Sequence, residues 1–235
     1  MVQLDNSTQA QAALGAGDGQ ATSDVDHAGV AARVLACVDA ARASAWAQTT
    51  LEGRCNWLAK VGFAADAISA RHQLSSQWLP GPTGESNELR LHPRGVFGAV
   101  AGTVDAGVFS TWISALACGN PLVIVVPAVS RGAAQRAVAE WVAAGLAPGA
   151  AQLVDAPFEE AAAVLACAES VQGLLAQPQL AVALNRHMVA RAGAIVPLVT
   201  EDPRQRLWRL CTEQTVTINT AAAGGNAALL AGVHA

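Results

Sequence analysis

The sequence is poor in several kinds of residue, and each shortage excludes a class of protein. Only one of its 14 basic residues is a lysine, Lys60, and the net charge is −4. No basic cluster is therefore present to bind a nucleic-acid backbone. The longest strongly apolar run, Leu122 to Val126, is far shorter than the roughly 20 residues that span a bilayer. The first residues lack the basic start and apolar core of a secretory signal, and we expect a cytoplasmic protein without a transmembrane segment or a nucleic-acid partner.

Cysteine is also scarce. The chain has five cysteines that are widely separated and form no C-x-x-C pair, at positions 37, 55, 118, 167 and 211. This usage is typical of reduced thiols buried as small hydrophobic residues. A catalytic cysteine needs a lowered pKa, for example at a helix N-terminus, whereas Cys118, Cys167 and Cys211 fall late in predicted helices.

Motifs for nucleotides and metals are absent as well. The glycines near the first predicted strand of the α/β region, Gly95, Gly98, Gly102 and Gly107, lack the G-x-G-x-x-G spacing of a dinucleotide fold, and no Walker loop occurs. The histidines have no His or Cys partner at metal-ligand spacing. Asp105, after that strand, is the best single candidate for a polar contact. We expect no catalytic, cofactor-binding or metal-binding residue in this chain.

What the sequence does contain is an alternation of strands and helices. Short apolar or β-branched runs predict strands, and segments with helical spacing separate them. The predicted strands are 96–101, 122–126, 152–154, 171–175, 194–199 and 214–218, and the predicted helices are 108–118, 131–143, 158–166, 178–190 and 204–211. This order favours an α/β fold with a Rossmann-like, mostly parallel sheet and helices on both faces.

Composition divides the chain into five parts. Residues 1–25 are small and polar and predict a disordered lead-in or linker. Residues 26–78 predict a helical segment, with Asp26 capping a helix from Ala28 to Ala47 and a second helix from Leu51 to Gln73. The remaining predicted parts are an extended connector at 79–92, a Rossmann-like α/β domain at 93–212, and a strand plus interaction tail at 213–235.

Two unusual motifs flank the α/β region. The connector motif, LPGPTGESN, runs from Leu79 to Asn87 and predicts turns and extended chain at the surface. Its candidate residues are Pro80, Gly81, Pro82, Thr83, Gly84, Glu85 and Asn87. The tail motif, NTAAAGGNA, runs from Asn219 to Ala227. Its small residues and glycine pair let another surface approach closely, so this segment is shaped to lie against a ligand or a protein.

Both motifs, in this order, resemble the C-terminal domain of long-form proline utilization A, the bifunctional bacterial flavoenzyme and aldehyde dehydrogenase of proline catabolism. The likeness covers about Trp78 to Gly232. A second resemblance underlies it. The segments PRGVFGAV (93–100), ALACGNPLV (115–123) and AGLAPG (144–149) look like the opening of an aldehyde dehydrogenase cofactor domain.

The chain lacks the residues that carry out the chemistry of the aldehyde dehydrogenase family. Aldehyde dehydrogenases have an oxyanion-stabilising Asn after the first strand, but residues 101–105 read AGTVD. Their second strand ends with a Lys that contacts the nucleotide ribose, but residues 124–127 read IVVP. Their glutamate and catalytic-cysteine motifs are not recognisable here. Thioester chemistry requires an activated thiolate, oxyanion donors and a base in one cleft, and this sequence assembles none of them.

The resemblance therefore implies a non-catalytic domain that packs on the catalytic aldehyde dehydrogenase domain of the same or a partner chain. Such a domain helps to seal the cavity that carries pyrroline-5-carboxylate or its semialdehyde between active sites. FAD and NAD are expected in the full family protein but not in this chain. The resemblance makes protein the expected contact of the tail, through Asn219, Thr220, Gly224, Gly225 and Asn226.

Two alternatives remain open. The chain is either a reduced NAD-dependent glutamate semialdehyde dehydrogenase with Cys118 or Cys167 as its nucleophile, or a structural domain whose tail closes its own sheet.

Overall fold

The computed structural model describes residues 19–82 and 84–219. Its helices are α1 (Gly19–Arg42), α2 (Leu51–Lys60), α3 (Ala64–Leu74), α4 (Ala106–Ala117), α5 (Ala128–Ala143), α6 (Phe158–Cys167) and α7 (Ala181–Val189). Its strands are β1 (Gln77–Leu79), β2 (Glu85–Pro93), β3 (Phe97–Val100), β4 (Leu122–Val125), β5 (Ala151–Leu153), β6 (Gly173–Ala176), β7 (Leu198–Val199) and β8 (Cys211–Asn219). Short 3-10 helices lie at Ala45–Gln48, Pro178–Leu180, Pro203–Gln205 and Leu207–Leu210. None of the described helices combines the length and the apolar character needed to cross a membrane.

Five strands form a parallel sheet in the order β5-β4-β3-β6-β7. The predicted α/β fold is confirmed, with helices packed on both faces of this sheet. The chain enters at the central strand β3, proceeds to one edge through β4 and β5, and returns to β6 on the other side of β3. The winding therefore reverses between β3 and β6, which makes this pair the topological switch point of the sheet.

Side chains of the parallel sheet alternate between two cores. In β3, Phe97 contributes to the core under α4 and α5, whereas Val100 contributes to the core under α1 and α6. A Cβ atom at Gly98 would lie 2.4 Å from a methyl group of Leu174 and 2.9 Å from one of Leu165. Gly98 is thus needed for the close packing of α6 on the sheet rather than for binding a ligand.

Four buried tryptophans join the N-terminal helices to the α/β region. The Trp57 ring lies edge-on to Trp46 and Trp141, with ring centroids 5.2 and 6.3 Å apart. Trp141 also packs edge-on to Trp112 at 6.4 Å. The indole nitrogen of Trp46 donates to the carbonyl of Leu116 at 2.8 Å, so this buried N–H group has a hydrogen-bond partner. The helices that precede the connector therefore belong to the same core as the parallel sheet.

A second, antiparallel sheet has the order β1-β2-β8, and we call it the flap sheet. Its strands β2 and β8 pair along their whole length, from Glu85 opposite Asn219 to Pro93 opposite Cys211. The predicted extended connector is thus largely a strand. The predicted last strand pairs with this connector and not with the parallel sheet.

Asn120 ties the base of the flap sheet to the parallel sheet. Its side chain is fully buried. The Oδ1 atom accepts hydrogen bonds from the backbone N–H groups of Arg94 and Gly95 at 2.8 and 3.2 Å, and Nδ2 donates to the carbonyl of Leu210 at 2.8 Å. One side chain therefore fixes both the end of β2 and the start of β8.

Two predicted features of the N-terminal part are wrong. The helix α1 begins at Gly19, so residues 19–25 are helical, and Asp26 lies inside the helix instead of capping it. The single helix expected from Leu51 to Gln73 is divided into α2 and α3, because Gly62 between them has φ +89°, a conformation that favours glycine and ends a helix.

The helix expected from Arg204 to Cys211 is also absent from the structure. Two 3-10 helices replace it, and Arg206 between them has φ −145° and ψ 52°. The backbone N–H of Leu207 donates to the side-chain oxygen of Gln73 at 3.0 Å, so a partner in α3 takes the place of a helical carbonyl. This tertiary contact overrides the apolar spacing of the segment.

Candidate functional site

The first candidate site is an open cavity at the carboxyl end of the parallel sheet. Its volume is about 240 Å³, and Asp105, Trp112, Gln177, Glu201 and Asp202 are among its lining residues. The cavity lies beside the switch point between β3 and β6, where open α/β sheets ordinarily bind their ligands. It is therefore the position at which a nucleotide would be expected.

Gln177 bridges the two strands at the inner end of this cavity. It follows β6 directly, and its Oε1 accepts hydrogen bonds from the backbone N–H groups of Gly102 and Thr103 at 2.9 and 3.3 Å. Its Nε2 donates to the Thr103 hydroxyl at 3.0 Å. Backbone N–H groups at such a turn are the donors that hold phosphate in nucleotide-binding folds. Here the protein's own amide occupies them.

The acidic residues that line the cavity also have partners within the chain. Asp105 caps α4 by accepting a hydrogen bond from the backbone N–H of Val108 at 2.9 Å. Glu201 forms an ion pair with Arg209, and Asp202 forms one with Arg204. Hydrogen bonding from Arg204 lowers the pKa of Asp202. Within the described residues, no cluster of three or more His, Cys, Asp or Glu side chains is placed to hold a metal ion.

The described cysteines lie away from this cavity. Cys118 follows the last residue of α4, at the end opposite Asp105, and a helix of this length separates the two by roughly 18 Å. Cys118 is 1% exposed, and burial raises the pKa of its thiol. Cys167 is exposed at the end of α6, where its Sγ donates to the carbonyl of His187 at 3.4 Å. A thioester mechanism would need one of these two thiols beside oxyanion donors in a cleft, and the described structure brings neither there.

The second candidate site is the flap sheet, whose outer strands β1 and β8 are largely exposed. Every residue of β1 is exposed, and in β8 only Cys211 and Val216 are covered or partly covered. Trp78 is 73% exposed and Ile218 is 57% exposed. Apolar side chains that gather on exposed strands mark surfaces for contact with another protein.

The flap sheet brings the two sequence motifs together. Glu85 of the connector motif pairs with Asn219, the first residue of the tail motif. The Oδ1 atom of Asn87 accepts a hydrogen bond from the Thr217 hydroxyl at 2.7 Å. Gly81 lies so close to Asn87 that a Cβ atom there would be 2.4 Å from its Nδ2. Asn87 therefore contacts both the connector turn, at Gly81, and β8, the strand that leads into the tail motif.

The turn between β1 and β2 explains the prolines and glycines of the connector. The backbone N–H of Glu85 donates to the carbonyl of Pro82 at 3.0 Å. Gly84 has φ +88°, in the left-handed region that favours glycine, and Pro80 lies in the segment that leaves β1. Five of the candidate residues in the two motifs lie outside the described part of the chain: Thr83, Thr220, Gly224, Gly225 and Asn226. The contact expected of the tail therefore stays a prediction.

Known proteins resemble this chain in sequence and in fold. No protein-family model matches the chain. The bifunctional protein PutA of Rhizobium meliloti is 30% identical to it over 191 residues, which cover 74% of this chain and 14% of PutA. A point mutant of Bradyrhizobium japonicum proline utilization A (PutA) superposes with a TM-score of 0.65 at 26% identity, over 77% of this chain and 24% of that one. The chain is homologous to PutA.

The homology concerns one part of PutA, because the chain spans only 14% of the curated relative. The fold is shared more widely. An aldehyde dehydrogenase from Bacillus cereus, solved as an NAD+ complex, superposes with a TM-score of 0.59 at 18% identity, over 72% of this chain and 43% of that one. The predicted likeness to PutA is thus confirmed, and the likeness to aldehyde dehydrogenases is confirmed as one of fold.

The sequence analysis of this PutA homologue did not identify Gln177 as a residue of the candidate cavity. The available signal was a polar residue directly after a buried strand, followed by Pro178. In a parallel sheet, such a residue lies at the edge where ligands bind. The order of the strands, which places β6 next to β3, was also needed to see that Gln177 reaches Gly102.

Proposed function

We propose that this chain is a non-catalytic, aldehyde-dehydrogenase-like domain of a proline-catabolic protein of the PutA type. It packs on the catalytic dehydrogenase domain of the same or a partner chain, and helps to seal the cavity through which pyrroline-5-carboxylate or its semialdehyde passes. The observation that carries this proposal is the flap sheet, whose strands β1 and β8 are largely exposed and present Trp78 and Ile218.

The physical chemistry of the flap sheet supports a protein contact. A three-stranded sheet gains stability mainly from a covered apolar face, and in the described chain the core covers the flap sheet only at its base, at Leu91 and Cys211. Covering a large apolar side chain such as Trp78 or Ile218 is worth about 1.5–3 kcal/mol. A partner that covers both would therefore stabilise the sheet and gain affinity from the same contact.

The cavity at the switch point supports the absence of turnover. Its backbone donors bond to Gln177 and the Asp105 carboxylate caps α4. The buried thiol of Cys118 lies at the far end of that helix. Acyl transfer from an aldehyde needs free donors and a thiolate at one point, and these groups are separated here.

Binding to the catalytic dehydrogenase domain of Rhizobium meliloti PutA tests the contact. We expect calorimetric titration with the 235-residue chain to show saturable binding. Replacing an exposed aromatic anchor at a contact typically weakens binding about tenfold or more, and we expect this of Trp78→Ala. The matched control is Val182→Ala, because Val182 is similarly exposed but lies on α7, away from the flap sheet. Equal affinity of the Trp78→Ala variant, or no binding of the unaltered chain, would contradict the proposal.

Removal of residues 220–235 tests the role expected of the tail. The shortened chain keeps β8 and its pairing with β2, so a loss of affinity would implicate the tail itself. Undiminished binding would favour a structural domain that needs no tail contact.

Activity measurements separate the proposal from the dehydrogenase alternative. We expect the isolated chain to form no NADH with glutamate semialdehyde and to show no saturable NAD binding. A measurable rate that Cys118→Ser or Cys167→Ser abolishes would establish the alternative.

A further inference from the structure

An open groove of about 720 Å³ lies between α4 and α5, beside the turn that joins α2 to α3. We call it the aromatic groove, after Phe63, Phe109 and Trp141 in its lining. It shares no lining residue with the cavity at the carboxyl end of the parallel sheet, and it includes no residue of the flap sheet. Its size is typical of sites that hold small organic molecules.

The apolar wall of the aromatic groove is rigid because its rings pack against each other. The rings of Phe109 and Trp141 meet edge-on with centroids 6.3 Å apart, and Trp141 is 4% exposed. Ala133 and Ala137 precede Trp141 at intervals of four residues, which places all three on one face of α5. Their small side chains leave the space beside the rings unfilled. A flat apolar group can therefore lie against this wall.

The turn between α2 and α3 supplies the other wall of the groove. Gly62 has φ +89°, and its N–H donates to the carbonyl of Ala59 at 3.3 Å. The N–H of Phe63 donates to the carbonyl of Leu58 at 2.9 Å. This pair of bonds is the Schellman ending of a helix, and it needs the glycine. It holds Lys60, the last residue of α2, and Phe63 at the same groove.

The charged side chains of the groove favour an anion. Lys60 and Arg136 line it and are exposed, and neither forms an ion pair within the described chain. Glu140 also lines it, one turn after Arg136. A Cβ atom at Gly132, one turn before Arg136, would lie 3.6 Å from its Nη1, so the guanidinium leans away from Glu140. Two cations and one carboxylate leave the groove with a positive excess in a chain of net charge −4.

The indole N–H of Trp141 is an additional donor at the groove. The corresponding groups of Trp46 and Trp57 donate to the carbonyls of Leu116 and Trp141. Among the described residues, none accepts a hydrogen bond from the N–H of Trp141, and this group is not one of the fully buried polar atoms that lack a partner. It is therefore open to an acceptor atom of a ligand.

We propose that the aromatic groove binds a small organic anion, in which a flat apolar ring system carries a single carboxylate or sulfonate. The ring system lies against Phe109 and Trp141, and the anionic group meets Lys60 and Arg136. An inorganic anion would leave the apolar wall uncovered. A polyphosphate would bring several negative charges close to Glu140, so the groove discriminates against nucleotides.

Calorimetric titration of the 235-residue chain with 2-naphthoate tests the proposal. The uncharged 2-naphthamide has nearly the same shape and is the matched probe. We expect saturable binding of 2-naphthoate at one site per chain and about tenfold weaker binding of the amide, which lacks the charge. Equal affinities for the two probes would overturn the selection for an anion. Absence of saturable binding of 2-naphthoate would overturn the site itself.

The position of the bound probe is tested by filling the groove. In Ala133→Phe, the new ring should occupy the space beside Trp141, and we expect binding of 2-naphthoate to be lost. Ala139→Phe is the control, because Ala139 is exposed on the same helix but does not line the groove. Circular dichroism establishes that both variants fold. Full affinity in a folded Ala133→Phe variant would place the probe elsewhere and overturn the proposal.

The cations are tested separately, at exposed positions where substitution does not disturb the core. Lys60→Met and Arg136→Met should each weaken binding of 2-naphthoate about threefold, and together about tenfold, because exposed charge pairs contribute modestly. Arg186→Met is the control, since Arg186 is exposed on α7 and lies outside the groove. Unchanged affinity in the double variant would overturn the role of Lys60 and Arg136.

Discussion

Polar groups at the cavity of the parallel sheet have partners within the chain, whereas large apolar side chains of the flap sheet are exposed. At the cavity, the donors that face the switch point bond to Gln177, and Asp105 bonds to the start of α4. In the flap sheet, Trp78 and Ile218 remain mostly exposed. The difference favours a protein contact at the flap sheet over a ligand at the cavity, although the cavity is where this fold commonly binds ligands.

The largest expected effect comes from replacing tryptophans in the two regions. Trp112 is 1% exposed in the core beneath α4, and Trp112→Ala should lower the free energy of unfolding by about 3–5 kcal/mol, because it leaves a cavity. The matched variant Trp78→Ala in the flap sheet should change it by less than about 0.5 kcal/mol. Urea unfolding monitored by circular dichroism measures both. Similar losses in the two variants would mean that the chain itself packs the flap sheet as tightly as the core.

Asn120 connects the two regions, and its loss should have the next largest effect. Asn120→Ala leaves the N–H groups of Arg94 and Gly95 and the carbonyl of Leu210 without their partner in a buried position. We expect a loss of about 1–3 kcal/mol in the free energy of unfolding. The exposed Asn56 provides the control, since Asn56→Ala should change stability by less than about 0.5 kcal/mol. Equal effects of the two variants in urea unfolding would show that the regions are not joined through Asn120.

Replacing Gln177 alters the cavity without changing the flap sheet. In Gln177→Ala, water can reach the N–H groups of Gly102 and Thr103, so the free energy of unfolding should fall by only about 0.5–1.5 kcal/mol. We also expect no NAD binding in calorimetric titration, because no lysine or arginine of the described residues lines the cavity to meet a phosphate. The exposed Gln48 supplies the control variant, Gln48→Ala. Saturable NAD binding by Gln177→Ala would show that one side chain alone blocks a functional nucleotide site.

The smallest effect should come from Asp202 at the rim of the cavity. Hydrogen bonding from Arg204 lowers its pKa, so the ionised carboxylate stabilises the folded chain above its ordinary pKa of about 3.9. This contribution is lost as the pH falls through the lowered value. Because Asp202 is half exposed, Asp202→Asn should cost less than about 1 kcal/mol at pH 7. Thermal unfolding of the variant and the unaltered chain should differ at pH 7 and coincide near pH 2, and a difference that persists there would assign the effect to packing.

The sequence carried enough information to predict the α/β class, because buried parallel strands such as β4 are short apolar runs between helices. It also located the connector motif and Asn219, since glycine and proline mark turns by their backbone preferences. It did not reveal that β2 and β8 pair, because antiparallel pairing between distant segments leaves no local pattern. The contacts of Gln177 with Gly102, and of Asn120 with Leu210, depend on the order of strands and helices in space. Side-chain pairs of this kind cannot be read from spacing along the chain.

The pairing of Pro93 with Cys211 means that residues 94–210 leave the flap sheet and return to it at one point. In architectural terms, the whole parallel sheet is an insertion into a long β-hairpin, and its two ends are neighbours. Such adjacent ends are the condition under which circular permutation and domain transplantation succeed. The α/β unit thus has the closely spaced ends of an insertable domain, and the N-terminal helices that share its core through Trp46 and Trp57 would have to be exchanged with it.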